Sequence, residues 1–253
     1  APPPPTSTPE PTPTPAPDPT PSPFVPYDFC RPAPESEEVE NSWFSDAVFI
    51  GDSRTDGLRL YSGIKDSNFL CHQGIKIYSV VGPGELTRLK LGGEAVTVLD
   101  ALSQGEYTKV YLMLGINELG YYDDEGFDRA YRRLVDEVRA RQPGAVPYIQ
   151  SLIPVNTAMC EKHSQRSYVN NERIAVYNEI IRTIAEEKQA VYVDVGAALA
   201  DETGELPAAA TVDGVHFNKA HYQAWYAYLK THTVDPDLYF NSLTIETGEE
   251  SIE

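Results

Sequence analysis

The chain has 253 residues, 41% of them hydrophobic, enough for one ordinary domain with appendages. Twenty basic against 38 acidic residues give a net charge of −18, which argues against nucleic acid, anionic membranes and strongly anionic substrates, because phosphate binding relies on Lys and Arg. No apolar run reaches the roughly 18 residues that a membrane-spanning helix needs.

Residues 1–26 are mostly Pro, Thr, Ser and Ala, as in Pro11-Thr12-Pro13-Thr14-Pro15. Proline fixes φ and removes the backbone donor, so this segment favours extended polyproline II and has almost nothing to bury. A disordered, semi-rigid linker is expected, of the kind that lifts a domain off a surface. As such a stalk it implies a protein outside the cell or anchored at its surface; a plain disordered tail is the alternative. The chain opens at Ala1-Pro2 without a signal peptide, as a processed or truncated start would. Residues 27–44 form an acidic lead-in, with Glu35 to Glu40 expected to be solvated.

From residue 45 to 232 the pattern alternates. Apolar, β-branched runs at 47–50, 75–81, 110–114, 146–152 and 190–195 are short, nearly continuous and followed by Gly, Asn, Asp or Pro. That is how strands of a parallel sheet covered on both faces read. Helical patterns fall between and after them. Residues 127–141 carry Tyr131, Leu134, Val135 and Val138 on one face, and 168–188 carry Ile174, Tyr177, Ile180, Ile181 and Ile184. A last pattern covers 220–232. Repeated β-α units predict a three-layer α/β/α, doubly wound parallel sheet. Ligands of such sheets bind beyond the carboxyl ends of the strands. Residues 233–253 read as an acidic C-terminal extension. The three cysteines, Cys30, Cys71 and Cys160, form no C-x-x-C pair, so neither a zinc site nor a redox motif is expected. One pair could bridge outside the cell, leaving one thiol over.

Three short pieces carry chemistry. Gly51-Asp52-Ser53 ends the first apolar run, Gly115-Ile116-Asn117-Glu118 follows the third, and Asp213-Gly214-Val215-His216 lies in the late loop. A serine at a strand exit with a late Asp-x-x-His pair is the outline of a hydrolytic triad. The competing role for Ser53 is capping of the helix that follows it. Asp52 reads as a structural hydrogen-bond partner. His221 follows His216 by five positions, which does not match the i,i+4 zinc pair of H-E-x-x-H. Gly82-Pro83-Gly84 lacks the third glycine of a dinucleotide fingerprint, and Thr55 stands where the G-x-S-x-G elbow needs its last glycine.

Across roughly residues 45–232 the chain resembles the SGNH (GDSL-type) hydrolase family. Its first block matches Gly51-Asp52-Ser53. Its third, Gly-x-Asn-Asp, matches Gly115-Ile116-Asn117-Glu118 with Glu for Asp. Its last, Asp-x-x-His, matches Asp213 to His216. The second block supplies a glycine after strand two, matched by Gly82 within Val81-Gly82-Pro83-Gly84, with Gly84 the alternative. The resemblance implies a flavodoxin-like fold and a serine esterase that needs neither metal nor other cofactor. Ser53 would be the nucleophile, His216 the base and Asp213 its partner. The backbone N–H groups of Ser53 and Gly82 and the amide of Asn117 would form the oxyanion hole. Tyr121 and Tyr122, just past Asn117, are candidates for stacking on a sugar. Trp225 is expected to pack.

The expected activity is removal of acetyl or another short acyl group from a small-molecule or glycan ester, such as a cell-wall carbohydrate. An O-acetyltransferase with the same triad is the alternative, and a surface module with a dead site the third reading. The sequence leaves the oligomeric state open.

Overall fold

A computed structural model describes residues 24–246, with side chains to 243. Most of the expected linker, residues 1–23, and the tail beyond 246 lie outside the described residues. In chain order the elements are β1 (Ala47–Gly51), α1 (Ser53–Tyr61), β2 (Asn68–Cys71), α2 (Tyr78–Val81), β3 (Arg88–Leu91), β4 (Glu94–Thr97), α3 (Val98–Leu102) and β5 (Lys109–Met113). Then come α4 (Asp124–Arg141), β6 (Val146–Gln150), α5 (Thr157–Lys162), α6 (Asn171–Glu187), β7 (Val191–Val193), α7 (Val195–Leu199), α8 (Lys219–Lys230) and α9 (Pro236–Glu246).

Five strands pair in parallel in the order β2-β1-β5-β6-β7. Every residue of β1, β5, β6 and β7 is buried, as their continuous apolar runs require of a sheet covered on both faces. Register aligns one aromatic on each of four strands. Phe69, Phe49, Tyr111 and Tyr148 stack in a row with centroids 4.9, 4.7 and 4.5 Å apart. Each such pair contributes about 0.5–1.5 kcal/mol beyond area burial. The row therefore favours this register over a one-residue slip, which would send the rings to opposite faces.

The run at 75–81, expected as a strand, is not one. Ile75, Ile77, Val80 and Val81 are buried, but the segment is a turn leading into the short helix α2. A brief continuous apolar run cannot be assigned to strand or helix by periodicity. The true second strand, Asn68–Cys71, is short, lies at the sheet edge and starts on an exposed asparagine, so its apolar signal is weak. The other four strands and the three expected helices fall within three residues of their expected bounds. A hairpin of β3 and β4 turns through Gly92 and Gly93, both at positive φ, the geometry that a two-residue hairpin turn demands.

The acidic lead-in is strapped along the domain. Its backbone donates from Ala33 to the Tyr192 carbonyl (2.7 Å), from Ser36 to Thr231 O (2.6 Å) and from Val39 to Lys230 O (2.9 Å). Phe29 and Ala33 are buried, while Glu35, Glu37, Glu38 and Glu40 stay exposed. Past residue 233, α9 buries Tyr239 against Phe29, with ring centroids 5.8 Å apart.

The chain runs from β1 to β2 on one side and reaches β5 on the other. The topological switch point therefore lies between the carboxyl ends of β1 and β5, where ligands of open α/β sheets bind.

Candidate active site

Ser53 emerges at that switch point as the first residue of α1. Asp52 takes the N-cap position, its Oδ1 accepting from the Arg54 N–H at 2.8 Å. The capping role considered for Ser53 thus belongs to its neighbour, and the Ser53 hydroxyl is free for other work. The Ser53 N–H, in the first turn, has no intrahelical acceptor and points with the helix dipole. Gly51 before it is required by close approach: a Cβ there would lie 1.9 Å from Thr55 Oγ1 and 2.8 Å from the Met113 carbonyl.

Ser53 Oγ lies 2.9 Å from His216 Nε2, and His216 Nδ1 lies 2.7 Å from Asp213 Oδ2. The other Asp213 oxygen accepts from the backbone N–H of Val215 (2.9 Å) and of His216 (2.7 Å). One carboxylate thus folds the turn and orients the ring. Partial burial raises the Asp213 pKa, but the bonds from His216 and Val215 outweigh it and hold the carboxyl below its ordinary value. An ionised Asp213 can only accept, so Nδ1 carries the ring proton and Nε2 is left to accept from the serine hydroxyl. Thr211 braces the turn from outside: its Oγ1 donates to the His216 carbonyl at 2.6 Å and accepts from Gly214 N–H at 2.9 Å.

Asn117 follows β5 and faces the same cleft. One N–H of its Nδ2 donates to the Ile75 carbonyl at 2.9 Å, which pins the β2–α2 loop and leaves the second N–H for a ligand. Glu118 beside it is fully buried, with Oε1 accepting from the Ile77 N–H and its carbonyl accepting from the Tyr177 hydroxyl at 3.1 Å. Burial pushes its pKa up to about 8, against the opposing bond from Ile77.

The structure does not put Gly82, the glycine expected in the oxyanion hole, at the cleft. The Gly82 N–H donates to the Tyr78 carbonyl at 2.9 Å as the C-cap of α2. Neither Gly82 nor Gly84 lines the cleft. Gly74, in the turn directly after β2, does line it. Its φ of +71° favours glycine, and among the described residues no acceptor takes its N–H. Gly74 follows the strand Asn68–Cys71 directly, whereas Gly82 follows an apolar run that folds as a turn and a helix.

The cleft encloses about 570 Å³ between Ser53, Asn117, His216, Gln73, Gly74, Asp56, Gly57, Leu60, Tyr61, Phe217 and Tyr222. Asp56 is its one acidic side chain, bridged to Arg59 at 2.7 Å. Tyr121 and Tyr122 are exposed but stand apart from it. The Tyr121 hydroxyl accepts from Lys76 Nζ at 3.0 Å, and the Tyr122 ring lies under Arg173, 5.1 Å from its guanidinium. The exposed aromatic on the cleft wall is Tyr61, 48% exposed and backed by the buried Tyr222 ring at 5.8 Å. Sequence reasoning missed it because it lies one helix length past Ser53 rather than beside a motif. Trp225 packs as expected, donating to Gln150 Oε1 at 2.9 Å. His221 is half-buried against Phe217, and burial lowers its pKa. Cys30, Cys71 and Cys160 are free thiols. A second hollow of about 440 Å³, lined by Pro32, Leu152, Ile174, Asn178 and Tyr192, contains none of the residues that converge on Ser53.

Residues 49–224 match the family model of the GDSL-like lipase/acylhydrolase family. Among solved structures, a candidate platelet activating factor from Streptococcus pneumonia is similar at 22% identity and TM-score 0.58, covering 75% of this chain and 89% of its own. A GDSL-like lipase from Bacteroides thetaiotaomicron is similar at 14% identity and TM-score 0.53, covering 82% and 90%. The periplasmic domain of a lipopolysaccharide acetyltransferase from Salmonella ser. Paratyphi A is similar at 15% identity and TM-score 0.52, covering 73% and 82%. At these identities the likenesses establish the fold. None of the curated proteins compared matches the sequence.

Proposed function

The chain belongs to the GDSL-like lipase/acylhydrolase family, and on that premise we propose that it is a serine esterase that removes short acyl groups, acetyl foremost, from a carbohydrate or cell-wall glycan. The observation that carries this reading is the unbroken chain Ser53 Oγ, His216 Nε2, His216 Nδ1, Asp213 Oδ2, with steps of 2.9 and 2.7 Å, opening on a cleft with unused donors.

In this reading Ser53 Oγ attacks the ester carbonyl while His216 Nε2 takes its proton. Asp213, held ionised by its three bonds, stabilises the imidazolium. The N–H groups of Ser53 and Gly74 and the second N–H of Asn117 Nδ2 receive the oxyanion. His216 returns the proton to the departing alcohol. A water molecule then repeats the sequence on the acyl-enzyme and frees the acid. The cleft lining supports an uncharged ester. It offers no unpaired cation for a phosphate or sulfate group, and it carries the hydroxyl, amide and aromatic side chains that suit a sugar. The Pro/Thr stretch at 1–26 supports a surface or extracellular location.

The acyl-enzyme can also pass its acyl group to a sugar hydroxyl. The shared fold with an acetyltransferase domain makes that the second reading. Turnover of short-chain esters and acetylated glycans, with and without an oligosaccharide acceptor, tests both. Free acid as the main product supports the esterase; acylated acceptor in excess of free acid would replace it with the transferase. Absence of turnover on every ester, with a correctly folded chain, would contradict both.

A further inference from the structure

Arg54 follows Ser53 directly, yet it points inward. Only 1% of it is exposed. Its Nε donates to the Val215 carbonyl at 3.0 Å and its Nη1 to the Ile153 carbonyl at 2.5 Å. Its guanidinium carbon lies 5.0 Å over the ring of Phe217. These contacts join three segments far apart in the chain: the first turn of α1, the loop after β6, and the turn that carries His216. Val215 and Phe217 are the two chain neighbours of His216, and Arg54 holds both.

Burying a guanidinium costs several kcal/mol unless its geometry is satisfied, and an apolar side chain of like volume commonly gives equal or better stability. A position selected for stability alone would not need arginine. Asp52 and Asp213 compensate its charge through space, and neither carboxylate bonds to the guanidinium. Asp52 is buried and bound to the Arg54 backbone N–H, and Arg54 itself bonds to carbonyl oxygens rather than to a carboxylate. Nε and Nη1 each reach a different carbonyl and the Phe217 ring lies 5.0 Å from the guanidinium carbon, while Nη2 is buried without a hydrogen-bond partner among the described residues. A lysine ammonium cannot reproduce all three contacts.

We propose that Arg54 is a positioning residue that locks the His216 turn against the Ser53 turn and so sets the distance between Oγ and Nε2. The inference rests on the reading of Ser53 and His216 as nucleophile and base. Misplacement of reacting groups by about 1 Å can cost a hundredfold in rate. Arg54 touches neither substrate nor Oγ, so its loss should act on turnover and not on substrate binding.

The test uses Arg54→Lys and Arg54→Met in the full chain, with Ser53→Ala as control. Active-site titration with a fluorophosphonate counts competent sites, and kcat and KM on a soluble acetyl ester are measured well below each Tm. The expected result is a kcat per titrated site lowered about 10- to 100-fold in Arg54→Met, with KM within about twofold. Arg54→Lys should fall between Arg54→Met and wild type, and the rate of fluorophosphonate labelling should drop in parallel. Lowered Tm with wild-type kcat per site in the folded variants would overturn the positioning role, as would loss of folding in both. Full activity in Ser53→Ala would instead overturn the esterase reading beneath it.

Discussion

Replacing Asn117 with aspartate changes one atom and separates two roles. In the native side chain Nδ2 has two N–H bonds, of which one is spent on the Ile75 carbonyl at 2.9 Å. The other faces the cleft that Ser53 and His216 share. Aspartate puts an oxygen at that point. It loses the donor to the oxyanion, sets a carboxylate beside the forming negative charge, and confronts the Ile75 carbonyl with a second acceptor. Removal of one oxyanion donor costs roughly 10²–10³ in kcat, about 2.7–4 kcal/mol. The loss belongs to the transition state, so KM should hardly move. Asn117→Ala should lose a similar factor without the repulsion, together with about 1 kcal/mol of stability from the unmet Ile75 carbonyl. Asn117→Asp should be at least as slow as Asn117→Ala. The rival role, a turn former using left-handed backbone, does not apply: the non-glycine residues at positive φ among those described are Asp66, Tyr122, Ser164 and Gln189. Steady-state kinetics on a soluble acetyl ester, with thermal melts alongside, decide the matter. A kcat near wild type for Asn117→Asp would remove Asn117 from the oxyanion hole.

Glu118 gives a pH prediction with a definite sign. Its carboxyl holds a proton to about 8 in the fold against an ordinary value of 4.5. The folded state therefore binds more protons between those limits, and the contribution is full below the lower value and lost as pH rises through the upper one, a few kcal/mol at most. Wild-type stability should fall relative to Glu118→Gln between pH 5 and pH 8, read as urea midpoints at constant slope; parallel curves would contradict it. Tyr61→Ala should raise KM for an acetylated oligosaccharide several-fold while leaving KM for p-nitrophenyl acetate almost unchanged, since only the larger alcohol reaches that ring. Equal effects on both substrates would remove the glycan from the proposal.

Much of the site can be read from the sequence because its groups are carried on short contiguous motifs. Asp213 reaches His216 three residues on, and Ser53 and Asn117 each leave a buried strand whose apolar run is visible. The glycine proposed for the oxyanion hole illustrates the limit. Its identity depends on where β2 ends, and β2 is a short edge strand with a weak pattern beside a stronger apolar run that folds as a turn and helix. Gly82 therefore read as the donor, while its N–H closes α2 and Gly74 occupies the cleft. Tyr121 and Tyr122 are not among the residues lining the cleft for a related reason: nearness in sequence to Asn117 does not survive the turn that carries them toward Lys76 and Arg173. Arg54 was unreadable because its partners are backbone carbonyls 99 and 161 residues away, and carbonyls leave no trace in residue identity. The five-stranded order likewise followed only in outline, since alternation of β and α implies a parallel sheet but does not state which strand is central.

The central claim is that Ser53 Oγ becomes acylated. The direct measurement is mass spectrometry of peptides after brief reaction with a slowly deacylating ester or a fluorophosphonate, on wild type, Ser53→Ala and His216→Ala. The expected result is one adduct, on the peptide containing Ser53, formed rapidly in wild type, absent from Ser53→Ala and slowed by about three orders of magnitude in His216→Ala. An adduct on another residue, or undiminished ester hydrolysis by Ser53→Ala, would contradict it.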